Sequence, residues 1–147
     1  MGATSCLVLA LAMVLTLAGC GDAGPVDIGE RPPPQQQTVS MTMHAVGDSG
    51  QDGTAALTQT GDASTTIVVS LENAPAQGDQ PVDIRAGTCS RIGAEPEHRM
   101  QALNQGRSTS VVPARLRTLV DRGLLIAVHK SGAENDVFVS CGEISGG

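Results

Sequence analysis

Asp83 and Arg85 are the residues whose types and spacing first suggest chemistry. They stand at alternate positions of the stretch QPVDIRAGTC, residues 80–89, which alternates like a strand and ends at Cys89. Side chains two apart on a strand share a face and lie about 6.5 Å apart. An acid and a base at that spacing can act as an acid/base pair, bind each other or share a third partner. The stretch is therefore either a working site or the remains of one.

Two of the three histidines are weak candidates for a metal ligand. His129 ends the apolar segment IAVH, and a single imidazole on a strand is more often a hydrogen-bonded residue than a ligand. His98 lies in the segment EPEHR, residues 95–99, which is typical of a solvated cluster of charges.

The third histidine, His44, follows two methionines in the pattern Met-x-Met-His. Thioether and imidazole groups are soft ligands that could hold Cu(I). Strand alternation, however, points Met41 and Met43 inward and His44 outward. We therefore predict that the two methionines pack in the core.

Hydrolytic chemistry has little support in the sequence. Ser108, Ser110 and Ser131 could supply a nucleophile beside His129, but no Gly-x-Ser-x-Gly elbow or ordered triad is present. The glycine-rich turns lack a phosphate-loop pattern and fit the positive φ angles of hairpin turns.

The N-terminal residues carry an export signal. The uncharged apolar run from Leu7 to Leu17 is too short to cross a bilayer core of about 30 Å and is typical of a signal peptide, predicted over residues 1–19. It ends in Leu-Ala-Gly-Cys20, which resembles the lipobox of bacterial lipoproteins, where the cysteine is lipidated and becomes the new N-terminus. Because the first five residues contain no Lys or Arg, ordinary cleavage or a different translation start remain as alternatives.

The predicted mature chain is anchored to a membrane through acyl chains such as palmitate and does not span it. Residues 20–37 form a lipidated cysteine followed by a Pro- and Gln-rich linker. The formal net charge is −6 and the basic residues are scattered, so we expect no nucleic-acid partner. The expected partners are the membrane and an unknown protein or envelope component, on the extracytoplasmic side of a bacterial cell envelope.

The cysteines left after processing form an even pair. Cys6 is removed with the signal and Cys20 carries the lipid, so Cys89 and Cys141 remain. In an oxidising compartment such a pair predicts one disulfide.

Residues 38–147 are predicted to form one all-β domain. Apolar residues mostly alternate with polar ones, turn residues recur about every ten positions, and the chain has one Phe and no Trp or Tyr. The alternation fails between Thr88 and Gly106, where we predict an irregular excursion with a helical turn after Pro96. A strand is predicted over residues 108–116, with Pro113 at an edge or bulge. Thr118 is predicted to cap a short turn that ends before Gly123.

Three segments together carry a resemblance to a known family: residues 87–89 (Gly-Thr-Cys), 126–129 (Ile-Ala-Val-His) and 139–144 (Val-Ser-Cys-Gly-Glu-Ile). In this order they resemble the copper/zinc superoxide dismutase-like fold, especially its small bacterial and chordin-domain (CHRD-type) relatives. The resemblance implies a Greek-key, immunoglobulin-like β-sandwich with about seven or eight strands. It also implies that the cysteines of the first and third segments are disulfide partners.

The same resemblance implies roles for the candidate site residues. His129 stands where the family has its last copper-ligand histidine, whereas Asp83 and Arg85 occupy the family's His-x-His positions. A guanidinium has no lone pair for a metal, so copper and zinc are not expected as cofactors. Phe138 stands where the family has its catalytic arginine. The resemblance therefore implies a vestigial metal site at Asp83, Arg85 and His129, and no dismutation.

Two functions follow as expectations. The first is a lipid-anchored, non-enzymatic binding or interaction module; the alternative is a copper- or zinc-binding protein related to superoxide dismutase, with its site rebuilt around His129, His98 or His44. For the first, we predict that Arg85 takes the place of the missing cation and pairs with Asp83 or another acid near His129.

Overall fold

The structure, a computed structural model, describes residues 36–146. The predicted signal peptide (1–19), the lipidated Cys20 and the linker up to residue 35 lie outside the described residues. Within residues 36–146, no helix is long and apolar enough to cross a membrane.

The all-β prediction is confirmed. The described residues form ten strands and one short helix, where the sequence predicted about seven or eight strands. The strands are β1 (Thr38–Ala45), β2 (Gly53–Gly61), β3 (Ser64–Leu71), β4 (Asp79–Gln80), β5 (Val82–Thr88), β6 (Arg91–Arg99), β7 (Leu103–Asn104), β8 (Arg107–Val112), β9 (Leu124–His129) and β10 (Phe138–Glu143), and the helix α1 (Leu116–Asp121) lies between β8 and β9.

All the strands belong to one curled antiparallel sheet. Its order is β4-β7-β8-β3-β2-β1-β10-β9-β5-β6, so β4 and β6 are the end strands. Yet only Pro81 separates β4 from β5. The two end pairs continue one ladder with nearly the same register, since Gln80 pairs with Leu103 and Asp83 pairs with Arg99. β4 and β5 therefore form one nearly continuous strand, interrupted at Pro81, and β7 and β6 pair along it as a two-stranded ribbon. Because this ribbon contains both ends of the strand order, the sheet curls back on itself.

The core follows the alternation that the sequence shows. Every second residue of β3 is buried, from Thr65 to Leu71. Met41 and Met43 are buried while His44 is exposed, which confirms the prediction for that segment. All six residues of β9 are buried, because one face packs in the main core through Leu124, Ile126 and Val128 and the other packs in a second apolar cluster through Leu125 and Ala127.

The prediction of an irregular excursion over Thr88–Gly106 is wrong, because this region contains β6 and β7. Strand β6 pairs with β5 and forms one end of the sheet order. None of its nine residues is fully buried, so the segment RIGAEPEHR needs no apolar alternation. Pro96, where a helical turn was predicted, lies inside this strand opposite Arg85. An end strand tolerates the proline because its outer edge is free of ladder bonds.

Two smaller predictions between residues 108 and 123 need correction. The strand β8 stops at Val112, before Pro113, since proline has no N–H for the ladder. Thr118 lies inside α1 and does not cap it. The Leu116 N–H donates instead to Gln59 Oε1, at 2.6 Å, so a side chain from β2 caps the helix.

The predicted disulfide is confirmed. Cys89 and Cys141 are bonded, with their Cα atoms 5.8 Å apart and a sequence separation of 52. The bond joins β10 to the chain just after β5, two strands that have β9 between them. Closing a loop of this length stabilises a fold by about 4 kcal/mol on the chain-entropy estimate.

Candidate functional site

Asp83, Arg85 and His129 form one buried group, here called the polar cluster. Asp83 and Arg85 point to the same side of β5, and His129 ends the neighbouring strand β9. Arg85 donates from Nε to Asp83 Oδ1 at 2.8 Å and from Nη2 to Asp83 Oδ2 at 2.9 Å. The two residues are only 7% and 4% exposed. The predicted pairing of Arg85 with Asp83 is confirmed, in the bidentate geometry that favours arginine over lysine.

The remaining terminal nitrogen of Arg85 bonds to the backbone of the end strand. Nη1 donates to the carbonyl oxygens of Gly93, at 3.0 Å, and of Ala94, at 2.7 Å. Here the ladder between β5 and β6 shifts register on both sides of Arg85. Such an irregularity leaves carbonyls without ladder partners. The guanidinium supplies the missing donors and ties β6 to β5.

His129 completes the polar cluster from the other side. Its ring is fully buried, and Nε2 lies 3.1 Å from Asp83 Oδ2. Its Nδ1 bonds to the backbone oxygen of Asn135, in the loop between β9 and β10. Both ring nitrogens thus face an oxygen partner within the protein. A metal could bind His129 only by displacing one of these partners.

Phe138 packs over the polar cluster. Its ring centroid lies 4.8 Å from that of His129 and 5.4 Å from Arg85 Cζ, a distance at which an arginine interacts with an aromatic face. The resemblance placed Phe138 where a catalytic arginine would stand. In this chain the position holds an aromatic ring that covers the polar cluster, and the positive charge comes from Arg85 beneath the ring.

The charges of the polar cluster suit a structural ion pair. The hydrogen bond to Asp83 is the largest cause that raises the pKa of Arg85 above its ordinary value, while burial acts in the opposite direction. Arg85 therefore stays positively charged at every physiological pH. A permanently charged guanidinium neither shuttles protons nor coordinates a cation. Arg85 therefore acts here as a fixed positive charge that holds β5 and β6 together.

The other candidate ligands do not join the polar cluster. His44 is exposed on β1, and His98 is half-buried on β6 with its position opposite Ile84. Within residues 36–146, no group of three or more His, Cys, Asp or Glu side chains is placed to hold a metal ion.

The candidate serines serve the backbone rather than a histidine. Ser108 Oγ donates to the Gln101 carbonyl at 2.7 Å, and Ser110 Oγ accepts from the Gln101 N–H at 2.8 Å. Ser131 Oγ accepts from the Glu134 N–H in an exposed loop. These bonds agree with the sequence-based rejection of a nucleophile and base.

A second site, missed by the sequence reasoning, is a cleft formed by three loops at one end of the sheet. We call it the loop-end cleft; its volume is about 410 Å³. The loops join β1 to β2, β3 to β4 and β9 to β10. The lining residues used below are Val46, Gln51, Pro75, Gln80, Val137 and Phe138.

Two glutamines of the loop-end cleft are buried without hydrogen-bond partners. Gln80 is 3% exposed and Gln51 is 6% exposed. Neither Oε1 nor Nε2 of Gln80, nor Oε1 of Gln51, has a partner within the described residues. Nothing in the sequence signalled this, because a Gln before a proline and a Gln in a turn are both ordinarily exposed.

Comparison of the chain with protein-family models, with curated proteins and with solved structures finds no match.

Proposed function

We propose that this chain is a lipid-anchored lipoprotein of the bacterial cell envelope whose domain is a non-enzymatic binding or interaction module. One observation carries the proposal: the guanidinium of Arg85 fills the polar cluster. It satisfies both oxygens of Asp83 and two backbone carbonyls. Where the resemblance implies metal ligands, this chain has an internal cation that is part of the fold.

The proposed domain type is a superoxide dismutase-like, Greek-key β-sandwich. Three features support it: the all-β composition, the curled antiparallel sheet, and the disulfide that joins the end of β5 to β10. In this proposal Asp83, Arg85 and His129 are the remains of a metal site. Asp83 and Arg85 share a face of β5 and lie beside His129, as ligands of one metal would.

Rebuilding the ligands tests this ancestry. We expect the double variant Asp83→His with Arg85→His to gain affinity for copper or zinc, since three imidazoles would then converge. The matched control is Thr109→His with Val111→His, also at alternate positions of a strand but exposed on β8. Metal binding is measured by calorimetry on folded protein. Equal binding by the two double variants would argue against a former metal site.

The anchor is tested by metabolic labelling with a palmitate analogue in bacterial cells. We expect label on the wild-type chain and none on the Cys20→Ala variant. Cys6→Ala is the matched control and should keep the label, because Cys6 lies in the predicted signal. Label that persists in Cys20→Ala, or is lost in Cys6→Ala, contradicts the proposed anchor.

The second candidate function is a copper- or zinc-binding protein. The observation in its favour is the imidazole of His129 beside a carboxylate oxygen of Asp83, at 3.1 Å. Elemental analysis of the purified chain after copper and zinc loading, together with a superoxide consumption assay, separates the two candidates. One tightly held metal ion per chain would reject the non-enzymatic module. A chain that binds neither metal and consumes no superoxide would reject the second candidate.

A further inference from the structure

The loop-end cleft has unused hydrogen-bonding capacity at buried positions. Gln80 has both its donor and its acceptor unpaired within the described residues, and Gln51 has its acceptor unpaired. Native proteins pair nearly all buried polar groups, so each exception calls for an explanation such as a ligand or an ordered water. Here the exceptions occur together and line one cleft.

The walls around these two amides are apolar. Val46, Pro75, Val137 and Phe138 line the same cleft, and Val137 is 44% exposed although it is a large hydrophobic residue. The positive charge at the rim is already paired, since Lys130 Nζ donates to Glu134 Oε1 at 2.8 Å. The other charged residue of the lining is Asp48, which is exposed. The apolar walls and the buried amides suit a ligand that is partly apolar and able both to donate and to accept hydrogen bonds.

An open strand edge borders the loop-end cleft at Gln80. The ladder between β5 and β9 reaches Val82 opposite Val128, and the His129 N–H then donates to the Pro81 carbonyl. Beyond this bond β9 leaves the sheet, while the ribbon continues into β4. Within residues 36–146, β4 pairs with β7 and with no other strand. Its second edge therefore has no strand partner among the described residues, and Gln80 lies on this strand beside the cleft.

From these features we propose that the loop-end cleft binds an extended peptide segment of a partner protein, with small apolar side chains. The segment would lie along the open edge of β4 as an added strand. The amide of Gln80 would pair with one peptide group, because each offers one carbonyl acceptor and N–H donors. A small apolar side chain of the segment would contact Val137 and Phe138. This inference rests on the proposed function, and it names the class of partner for the binding module.

A peptide explains the lining better than a lipid chain does. An acyl chain would cover the valines but leave the amide atoms of Gln80 and Gln51 unpaired. A peptide strand offers both apolar side chains at alternate positions and a regular series of donors and acceptors.

The probe for the test is the blocked pentapeptide acetyl-Ser-Val-Ser-Val-Ser-amide, added to the isotope-labelled full chain in mild detergent. We expect saturable shifts of the side-chain amide signals of Gln80 and Gln51, with a dissociation constant of about 1 mM or tighter. An analogue with its central amide replaced by an ester lacks one N–H donor and should bind about tenfold more weakly.

Three matched variants complete the test. Gln80→Met and Gln51→Met keep the side-chain size but remove the amide, and each should weaken peptide binding at least about tenfold. Gln101→Met makes the same change at an exposed position outside the cleft and should bind as wild type does. Any variant that fails to fold is recognised from its amide spectrum, and the ester analogue then tests the same hydrogen bonds on the unchanged chain.

Several results would overturn the inference. They are the absence of shifts at about 10 mM peptide, equal binding of the ester, or unchanged binding in Gln80→Met. These readouts depend on neither lipidation nor metal. A chain that carries lipid, binds no metal and ignores the peptide would reject this inference alone, whereas a metal-loaded chain would reject the proposed function without deciding peptide binding.

Discussion

The polar cluster and the loop-end cleft contain buried polar side chains from one stretch of chain: Asp83 and Gln80 lie only three positions apart. The hydrogen bonding of these two side chains differs completely. Asp83, in the polar cluster, has both oxygens bonded to Arg85 and a further contact to His129. Gln80, in the loop-end cleft, has no partner for its amide within the described residues. Both are almost fully buried. Burial alone therefore does not tell a structural side chain from a candidate binding side chain; the difference lies in whether its hydrogen bonds are complete.

A satisfied buried network stabilises one arrangement of the chain, whereas unsatisfied groups are poised to accept a ligand. Pro81 separates the two regions. It ends the short strand β4, and its carbonyl is the last acceptor for β9. The boundary between the unpaired and the paired buried side chains thus lies at a single residue between Gln80 and Val82.

The largest effect should come from removing the cation of the polar cluster. Arg85→Met leaves the carboxylate of Asp83 buried beside His129 without its main partner, and it leaves the Gly93 and Ala94 carbonyls without their donor. Breaking a buried ion pair in this way costs about 3 to 5 kcal/mol of folding free energy. Urea unfolding measures the loss.

The matched control for this loss is Arg91→Met. Arg91 lies on the same ribbon but is exposed, so its replacement should change the free energy of unfolding by less than about 0.5 kcal/mol. Similar losses in the two variants would show that Arg85 has no special structural role.

The second prediction tests whether Asp83 and Arg85 act as a unit. If the loss in Arg85→Met arises mainly from an uncompensated carboxylate, then adding Asp83→Leu should recover part of it, although the two carbonyls on β6 stay unpaired. We expect a coupling energy of about 2 kcal/mol in a double-mutant cycle. Additive losses in the cycle would mean that the backbone bonds of Arg85, rather than its pair with Asp83, hold the ribbon together.

The sequence predicted the parts of this molecule that follow from local alternation and from cysteine number. The all-β prediction followed from the alternation of apolar and polar residues, which in β3 gives a buried face at every second residue. The two-residue spacing of Asp83 and Arg85 allowed them to bind each other or to share a third partner, and the structure shows that they bind each other. The disulfide followed from the even pair that remains after processing.

What the sequence could not show depends on contacts between distant residues. Strand β6 has no fully buried residue, so an end strand looks like a loop. The cap of α1 comes from Gln59, 57 positions before Leu116. The loop-end cleft needs three loops from different parts of the chain, and Gln80 becomes buried only when they meet. No local pattern predicts such a site.

The third prediction concerns the loop-end cleft and has the opposite sign. Gln80→Met removes a buried amide that has no partner within the described residues and keeps a side chain of similar size. Without ligand, this variant should be more stable than wild type by about 1 kcal/mol. Thermal and urea unfolding measure the difference, with Gln101→Met as the neutral exposed control. A loss of stability in Gln80→Met would show that the Gln80 amide makes stabilising hydrogen bonds, as Asp83 does. The two regions would then not differ in their hydrogen bonding.

The smallest expected effect is that of alkaline pH on the contribution of Arg85. The hydrogen bond to Asp83 is the main cause that raises the pKa of this guanidinium above its ordinary value. A basic group whose pKa is raised by folding stabilises the protein fully below its unfolded pKa, and this stabilisation is lost only as the pH rises through the folded pKa. Both pKa values lie well above the pH range of this experiment, because an arginine guanidinium is effectively always protonated in proteins. The difference in unfolding free energy between wild type and Arg85→Met should therefore be the same at about pH 8 and about pH 10, within about 0.5 kcal/mol. If the difference in unfolding free energy between wild type and Arg85→Met becomes smaller as the pH rises, then a group other than the Arg85 guanidinium supplies the positive charge of the polar cluster.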